Sequence, residues 1–170
     1  MAEKDEALAR AVPDAPFQIV AIAASAGGLK ALSRVLGQLP EDFPVPIVLV
    51  QHLDPRHRSL MDEILDKRTP LRVQQAEAGD HLEGGTVYIA PPNHHLLVDG
   101  DCSLLLTQSE LVHFVRPSAD LLFESVAGTY KEQCIAVVLT GIGQDGGMGV
   151  EAVKKVGGTV IAQSEETADF

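Results

Sequence analysis

Short apolar runs alternate with amphipathic stretches along this chain from about Phe17 onward. Continuous Val, Ile and Leu runs are typical of strands buried on both faces of a parallel sheet, and apolar positions at helical spacing indicate covering helices. The alternation therefore predicts a doubly wound α/β fold, with a mainly parallel sheet and helices on both faces. The predicted elements are strand 17–23, helix 27–37, strand 46–51, helix 59–67, strand 71–75, strand 134–139, helix 147–156 and strand 158–162.

The pattern changes in the middle of the chain. Within residues 86–107, short apolar runs flank a polar turn at residues 99–101, which is typical of a β-hairpin. We expect a small antiparallel hairpin insert at this point. Beyond Pro117, apolar residues at nearly helical spacing predict a helix of about three turns, with Ser118 as its N-cap.

Length and composition favour a single folded domain. A chain of 170 residues with 45% hydrophobic content can close one ordinary core, and a second domain would be cramped. We expect this domain to span residues 17–170, after a flexible tail or linker at 1–16 that has no core-forming pattern. The pattern also predicts a covering helix after strand 158–162, so a further C-terminal element is expected.

Charge and hydropathy exclude several function classes. The formal net charge is −11, whereas surfaces that bind nucleic acid carry clustered Lys and Arg. No apolar run approaches the roughly 20 residues needed to cross a bilayer. The acidic N-terminus also lacks the basic and then apolar order of a signal peptide. We expect a soluble cytoplasmic protein that neither binds nucleic acid nor inserts into a membrane.

Three reactive side chains each lie just past a predicted buried strand: Ser25, His52 and Asp145. Because the carboxyl ends of parallel strands meet at one edge, where open α/β sheets bind ligands, we expect these residues to lie close together. A nucleophilic hydrolase needs this combination, with the histidine as general base and the aspartate orienting the imidazole. The glycine-rich turn after Ser25 leads into a helix, whose first amides are suited to hold an oxyanion.

Other interpretations of these residues remain open at this stage. Ser25 also fits the N-cap of the following helix, and its turn resembles a phosphate cradle. Considered in isolation, Asp145 also fits an ordinary surface turn. A silent module that binds receptor helices without catalysis is a further alternative.

The glycines around Asp145 suggest a nucleotide-binding alternative. They match the G-x-G-x-x-G fingerprint after a strand, and acidic residues follow about 20 positions later, as that motif requires. Asp145 lies within the loop, however, and its carboxylate would repel a pyrophosphate. The residues concerned are Gly141, Gly143, Gly146, Glu165 and Glu166.

No metal or cofactor is expected. A metal site built from His52, His57 and His94 would lack the expected ligand spacing. Arg116 precedes the predicted helix at residue 118, and we expect it to line the cleft, where it would bind substrate or pair with Asp120.

Five segments, in order, resemble the catalytic domain of chemotaxis receptor methylesterases of the CheB type. The resemblance covers residues 17–170 and implies that Ser25 is the nucleophile, His52 the base and Asp145 the orienting carboxylate. It implies hydrolysis of glutamate γ-methyl esters on receptor helices, and commonly deamidation of specific receptor glutamines. The segments are AASAGG, VQHL, APPNHHLL, RPSADLLFESVA and LTGIGQDGGMGVEAVKKVGGTVIAQ.

The resemblance also guides the remaining site and partner predictions. The amide of Ala26 and the backbone around Ile142 and Gly143 are candidates for the oxyanion hole and cleft. The family usually has glycine at position 23, threonine at 26 and methionine at 142, where this chain has Ala23, Ala26 and Ile142. Expected partners are the cytoplasmic helices of methylated receptors and a separate regulatory or methyltransferase module, because no receiver domain precedes residue 17.

Overall fold

A computed structural model describes residues 15–170 of the protein. The tail expected at 1–16 lies outside this part of the chain, except for its last two positions. The described elements are β1 (Ile19–Ala24), α1 (Gly28–Leu36), β2 (Ile47–Gln51), α2 (Met61–Asp66), β3 (Arg72–Gln75), β4 (Thr86–Ile89), β5 (His95–Val98), β6 (Leu104–Thr107), α3 (Ala119–Tyr130), a 3-10 turn (Lys131–Gln133), β7 (Cys134–Val138), α4 (Gly147–Lys155) and β8 (Thr159–Ala162).

A six-stranded sheet forms the centre of the molecule, in the order β3-β4-β2-β1-β7-β8. Every neighbouring pair in this sheet is parallel. The predicted doubly wound, mainly parallel architecture is therefore confirmed. The central strand β1 pairs with β2 on one side and with β7 on the other, so three loops that are distant in sequence leave the sheet side by side.

The two faces of the sheet pack into separate cores, because successive side chains of a strand point to opposite faces. Ile19, Ala21 and Ala23 of β1 pack in a cluster with residues of α3, α4 and the β5–β6 hairpin. The intervening side chains of β1 pack with residues of α1 and α2. All six residues of β1 are buried, which explains why this strand has a continuous apolar sequence.

The predicted antiparallel insert is confirmed and is shorter than the stretch that suggested it. β5 and β6 form a separate two-stranded antiparallel sheet. Residues 86–89 instead form β4, which lies between β2 and β3 in the parallel sheet and is buried throughout. Within residues 15–170, no helix is long and apolar enough to cross a membrane.

Candidate active site

Ser25 follows β1, and its backbone is held by the neighbouring loops. Its amide donates to the carbonyl oxygen of Thr140 at 3.0 Å, which joins the loop after β1 to the loop after β7. Its carbonyl oxygen accepts from the amide of Gly28 at 2.9 Å and from Gln51 Nε2 at 2.8 Å. The buried Gln51 side chain also donates to the carbonyl of His52, so one amide group links the loops that carry Ser25 and His52.

The N-cap interpretation of Ser25 is wrong. α1 begins at Gly28, and its N-cap is Gly27, which has φ 76° and makes no side-chain cap hydrogen bond. Close approach to the loop after β7 also depends on glycine: a Cβ atom on Gly141 would lie 2.7 Å from Cβ of Ser25. A larger residue at position 141 would therefore displace Ser25.

His52 lies one residue beyond β2 and contacts Asp145. Its amide donates to the carbonyl of Ala24 at 3.1 Å, and its Nε2 lies 2.8 Å from Asp145 Oδ2. The side chains of His52 and Asp145 are 19% and 3% exposed, respectively. An ionised carboxylate only accepts hydrogen bonds, so the proton of neutral His52 resides on Nε2 and Nδ1 is left as the acceptor nitrogen.

Asp145 is bound at the N-terminus of α3. Its carboxylate accepts hydrogen bonds from the amides of Ala119 at 2.6 Å and Asp120 at 3.1 Å, and from Ser118 Oγ at 2.8 Å. Burial alone raises the pKa of Asp145. The hydrogen bonds from His52, the two amides and Ser118 outweigh that effect and lower its pKa to about 2. Asp145 is therefore a buried, permanently ionised partner for His52 near neutral pH, and the surface-turn interpretation is wrong.

A fully buried histidine, His95, fixes the residue that supports Asp145. His95 Nδ1 accepts from the amide of Ser118 at 3.1 Å, and its Nε2 lies 2.9 Å from the carbonyl oxygen of Glu110. Ser118 is the N-cap of α3, as predicted, and its hydroxyl donates to Asp145 while accepting from the amide of Leu121. A continuous hydrogen-bond chain therefore runs from His95 through Ser118 and Asp145 to His52.

Comparison with known proteins assigns the chain to a family. Residues 20–170 match the family model described as CheB methylesterase. The chain belongs to the CheB methylesterase family. The crystal structure of the Thermotoga maritima CheB methylesterase catalytic domain has the same fold, with a TM-score of 0.86 and 39% identity, covering 91% of this chain and 84% of that one.

Full-length relatives in the CheB methylesterase family are about 40% identical. The protein-glutamate methylesterase/protein-glutamine glutaminase of Thermotoga maritima is 40% identical over 158 residues, which are 91% of this chain and 46% of that protein. The protein-glutamate methylesterase FrzG of Myxococcus xanthus is 40% identical over 163 residues, which are 96% of this chain and 49% of that protein. The chain thus spans about half of these relatives. A relative from Leptospira interrogans is 38% identical over 154 residues, with 80% of its length covered.

Family membership disfavours the nucleotide-binding interpretation, and so does the geometry of the glycine loop. Gly141 is packed against Ser25, and the loop carries the buried Asp145 carboxylate. Gly146 is the N-cap of α4 with φ 109°, and this conformation explains the glycine without a ligand. Within residues 15–170, no group of three or more His, Cys, Asp or Glu side chains is arranged to hold a metal ion.

The remaining candidate residues lie around the same edge of the sheet. Ala26 lies between Ser25 and the N-cap glycine of α1, and Ile142 and Gly143 lie in the loop that carries Asp145. Ile142 is 68% exposed, and Gly143 has φ 119° with open space on its Cβ side. Their contribution to an oxyanion hole stays a prediction.

Arg116 braces a loop in the described structure. Its guanidinium donates to Asn93 Oδ1 and to the carbonyl oxygens of Gln108 and Ser109. The expected partner Asp120 instead faces His113, whose Nε2 lies 3.3 Å from Asp120 Oδ2. Substrate binding by Arg116 stays a prediction.

Proposed function

We propose that this chain is a serine hydrolase that removes methyl groups from glutamate γ-methyl esters on the cytoplasmic helices of chemotaxis-type receptors. Ser25 is the nucleophile, His52 the general base and Asp145 the carboxylate that orients His52. The observation that carries the proposal is the partly buried 2.8 Å contact between His52 and Asp145, at the sheet edge where Ser25 is anchored. The names of the CheB-family relatives, protein-glutamate methylesterases, support the same substrate class.

The reaction follows from ester chemistry. His52 Nδ1 takes the proton of Ser25 as the hydroxyl oxygen attacks the ester carbonyl carbon, and Asp145 stabilises the imidazolium that forms. The tetrahedral intermediate collapses to a γ-glutamyl ester of Ser25, and His52 returns the proton to the departing methoxide, which leaves as methanol. Water then attacks the acyl enzyme with the same base and releases glutamate. With a glutamine substrate the leaving group is ammonia, which gives deamidation.

The amide of Ala26 and the backbone around Ile142 and Gly143 are the proposed donors to the intermediate's oxyanion. Amides that follow a nucleophile at a helix N-terminus point toward the developing negative charge. In serine hydrolases the loss of one such donor lowers kcat by about 10²- to 10³-fold. Side-chain substitutions at positions 26 and 142 leave these backbone donors in place.

Covalent labelling tests the proposal without the native substrate. A fluorophosphonate should react with Ser25 in the parent chain. Labelling should be lost in Ser25→Ala and fall by at least about 10²-fold in His52→Ala, because the base removes the serine proton. Ser33→Ala, at a serine within α1, is the matched control and should label like the parent. Methanol release from a methylated receptor fragment should follow the same order across the four proteins.

The silent-module alternative gives a different result. Tight binding of the receptor fragment, with neither labelling of Ser25 nor methanol release, would show that the chain binds receptors without hydrolysing them. Equal labelling of the parent and Ser25→Ala would exclude Ser25 as the nucleophile.

A further inference from the structure

A tight turn beside the site holds two large residues in an unfavourable backbone conformation. The amide of Val112 donates to the carbonyl of Val115 at 3.1 Å, and the reciprocal bond is 2.9 Å. Between them, His113 has φ 48° and Phe114 has φ 64°. Turns with two left-handed central residues normally contain Asn, Asp or Gly, because bulky L residues rarely adopt positive φ. We call residues 112–115 the Phe114 turn.

The Phe114 turn lies against a buried carboxylate on one side, and the residue that follows it is anchored on the other. On one side, His113 Nε2 lies 3.3 Å from Asp120 Oδ2, which is buried. On the other, Arg116 donates twice to Asn93 Oδ1, at 3.0 and 2.6 Å. Strained backbone persists only where its surroundings enforce it, and it clusters at functional sites. Because the amide of Asp120 also donates to Asp145, the turn and the proposed triad are anchored to the same residue.

The turn presents its aromatic ring to solvent. Phe114 is 94% exposed. Asp120 links residues 108–116 to residues 140–149. Its Oδ1 accepts from the amide of Gly149 at 2.7 Å, and its Oδ2 faces His113 of the Phe114 turn. Clusters of exposed apolar side chains mark interaction sites on soluble proteins. Of the nine large hydrophobic residues exposed within residues 15–170, these two segments carry four: Leu111, Phe114, Ile142 and Met148.

The charge of this region differs from that of the whole molecule. The chain carries a formal charge of −11. The ionisable side chains of segments 108–116 and 140–149 are Glu110, His113, Arg116 and Asp145. Asp145 is buried against His52, and the charges of Glu110 and Arg116 cancel. Apart from the buried Asp145, these two segments therefore carry no net charge, although the protein as a whole is strongly acidic.

We propose that the Phe114 turn binds apolar side chains of the helical protein segment that carries the γ-glutamyl ester, and that Phe114 determines specificity for protein over small esters. This inference rests on the function proposed above. A methyl ester is too small to need an aromatic contact outside the triad, whereas a protein segment presents neighbouring side chains. Each hydrolysis leaves a glutamate carboxylate on that segment, and a neutral apolar region binds such a segment without the repulsion that an acidic surface would exert. Exposed aromatic anchors dominate binding energy at protein interfaces.

Two substitutions distinguish the effect of the aromatic ring from the effect of the turn conformation. Phe114→Asn removes the apolar side chain and keeps a residue that tolerates positive φ, whereas Phe114→Tyr keeps the ring. Val35→Ala, at an exposed position 38% accessible on α1, is the matched control. The probe is a chemoreceptor cytoplasmic fragment carrying tritiated γ-glutamyl methyl esters. For each protein, kcat and KM are measured with this fragment as substrate, together with the rate of fluorophosphonate labelling of Ser25. The Kd of the fragment is measured in a Ser25→Ala background, where no substrate is consumed.

Phe114→Asn should raise KM and Kd for the receptor fragment at least tenfold and leave the labelling rate within twofold of the parent. Phe114→Tyr and Val35→Ala should match the parent in all three measurements. A KM and Kd within twofold of the parent for Phe114→Asn would overturn the proposal. A parallel loss of labelling would also overturn it, because the turn would then support the active site rather than bind substrate. Failure of the proposed function is a separate result, seen as absent labelling and methanol release in the parent chain.

Discussion

Asp145 shows how a single residue can be both buried and ionised in this molecule. Its carboxylate lies against the first amides of α3, receives the Ser118 hydroxyl and contacts His52. Helix N-termini bind anions through their free amides and partial positive charge. The carboxylate therefore needs no solvent to stay charged, and it holds the imidazole in the tautomer that leaves Nδ1 free to accept a proton.

The low pKa of Asp145 predicts how stability depends on pH. The hydrogen bonds that outweigh burial lower its pKa from 3.8 to about 2 in the folded state. The ionised group therefore contributes stability above about pH 4, and this contribution is lost as the pH falls toward 2. Between pH 5 and 2, urea unfolding should show that the parent loses about 2 kcal/mol more than Asp145→Asn. Equal losses in the two proteins would contradict the assignment.

At the scale of elements, the start of α3 connects the hairpin to the proposed triad. His95, the first residue of β5, accepts the amide of Ser118, and Ser118 contacts Asp145. The acceptor at His95 Nδ1 affects Asp145, because it positions Ser118, which donates to the Asp145 carboxylate. The contact of Nε2 with the Glu110 carbonyl instead holds the following loop.

Two substitutions of His95 should therefore differ. His95→Asn keeps an acceptor near the position of Nδ1, and His95→Gln keeps a donor near that of Nε2. We expect His95→Gln to lower kcat by about ten- to hundredfold with little change in KM, because a displaced Asp145 misorients His52. His95→Asn should retain most of the parent's kcat. Both are measured on the methylated receptor fragment at a temperature where thermal unfolding shows them folded, and equal kcat values would refute the role of Ser118 as the link.

Only part of the site was predictable from local sequence. Ser25, His52 and Asp145 stand out because each follows an apolar strand, and parallel strands end at one edge. The role of His95 was not predictable, because a histidine beside the apolar run of β5 looks the same whether its ring is solvated or buried. Its partner Ser118 becomes a neighbour only when the hairpin packs on α3. The Phe114 turn was not predictable from the sequence, because its central residues, His113 and Phe114, are not a turn-forming pair.

At the scale of the whole molecule, the net charge of −11 is the dominant electrostatic feature. Like charges destabilise a compact chain through mutual repulsion, and salt screens this repulsion. Raising NaCl from about 10 mM to 300 mM shortens the Debye length from roughly 30 Å to about 6 Å. We expect the Tm to rise by a few degrees over this range in differential scanning calorimetry. A Tm that falls would show that screened attractive ion pairs outweigh the repulsion.

The position of β1 between β2 and β7 has a consequence for how the protein is made. Ser25 and His52 are synthesised before Asp145, and the strand that precedes Asp145 begins more than 80 residues after His52. A nascent chain that ends before β7 holds the proposed nucleophile and the proposed base without the carboxylate proposed to orient His52. The proposed hydrolytic activity therefore requires β7 to have docked against β1, and esterase activity during translation would report that pairing.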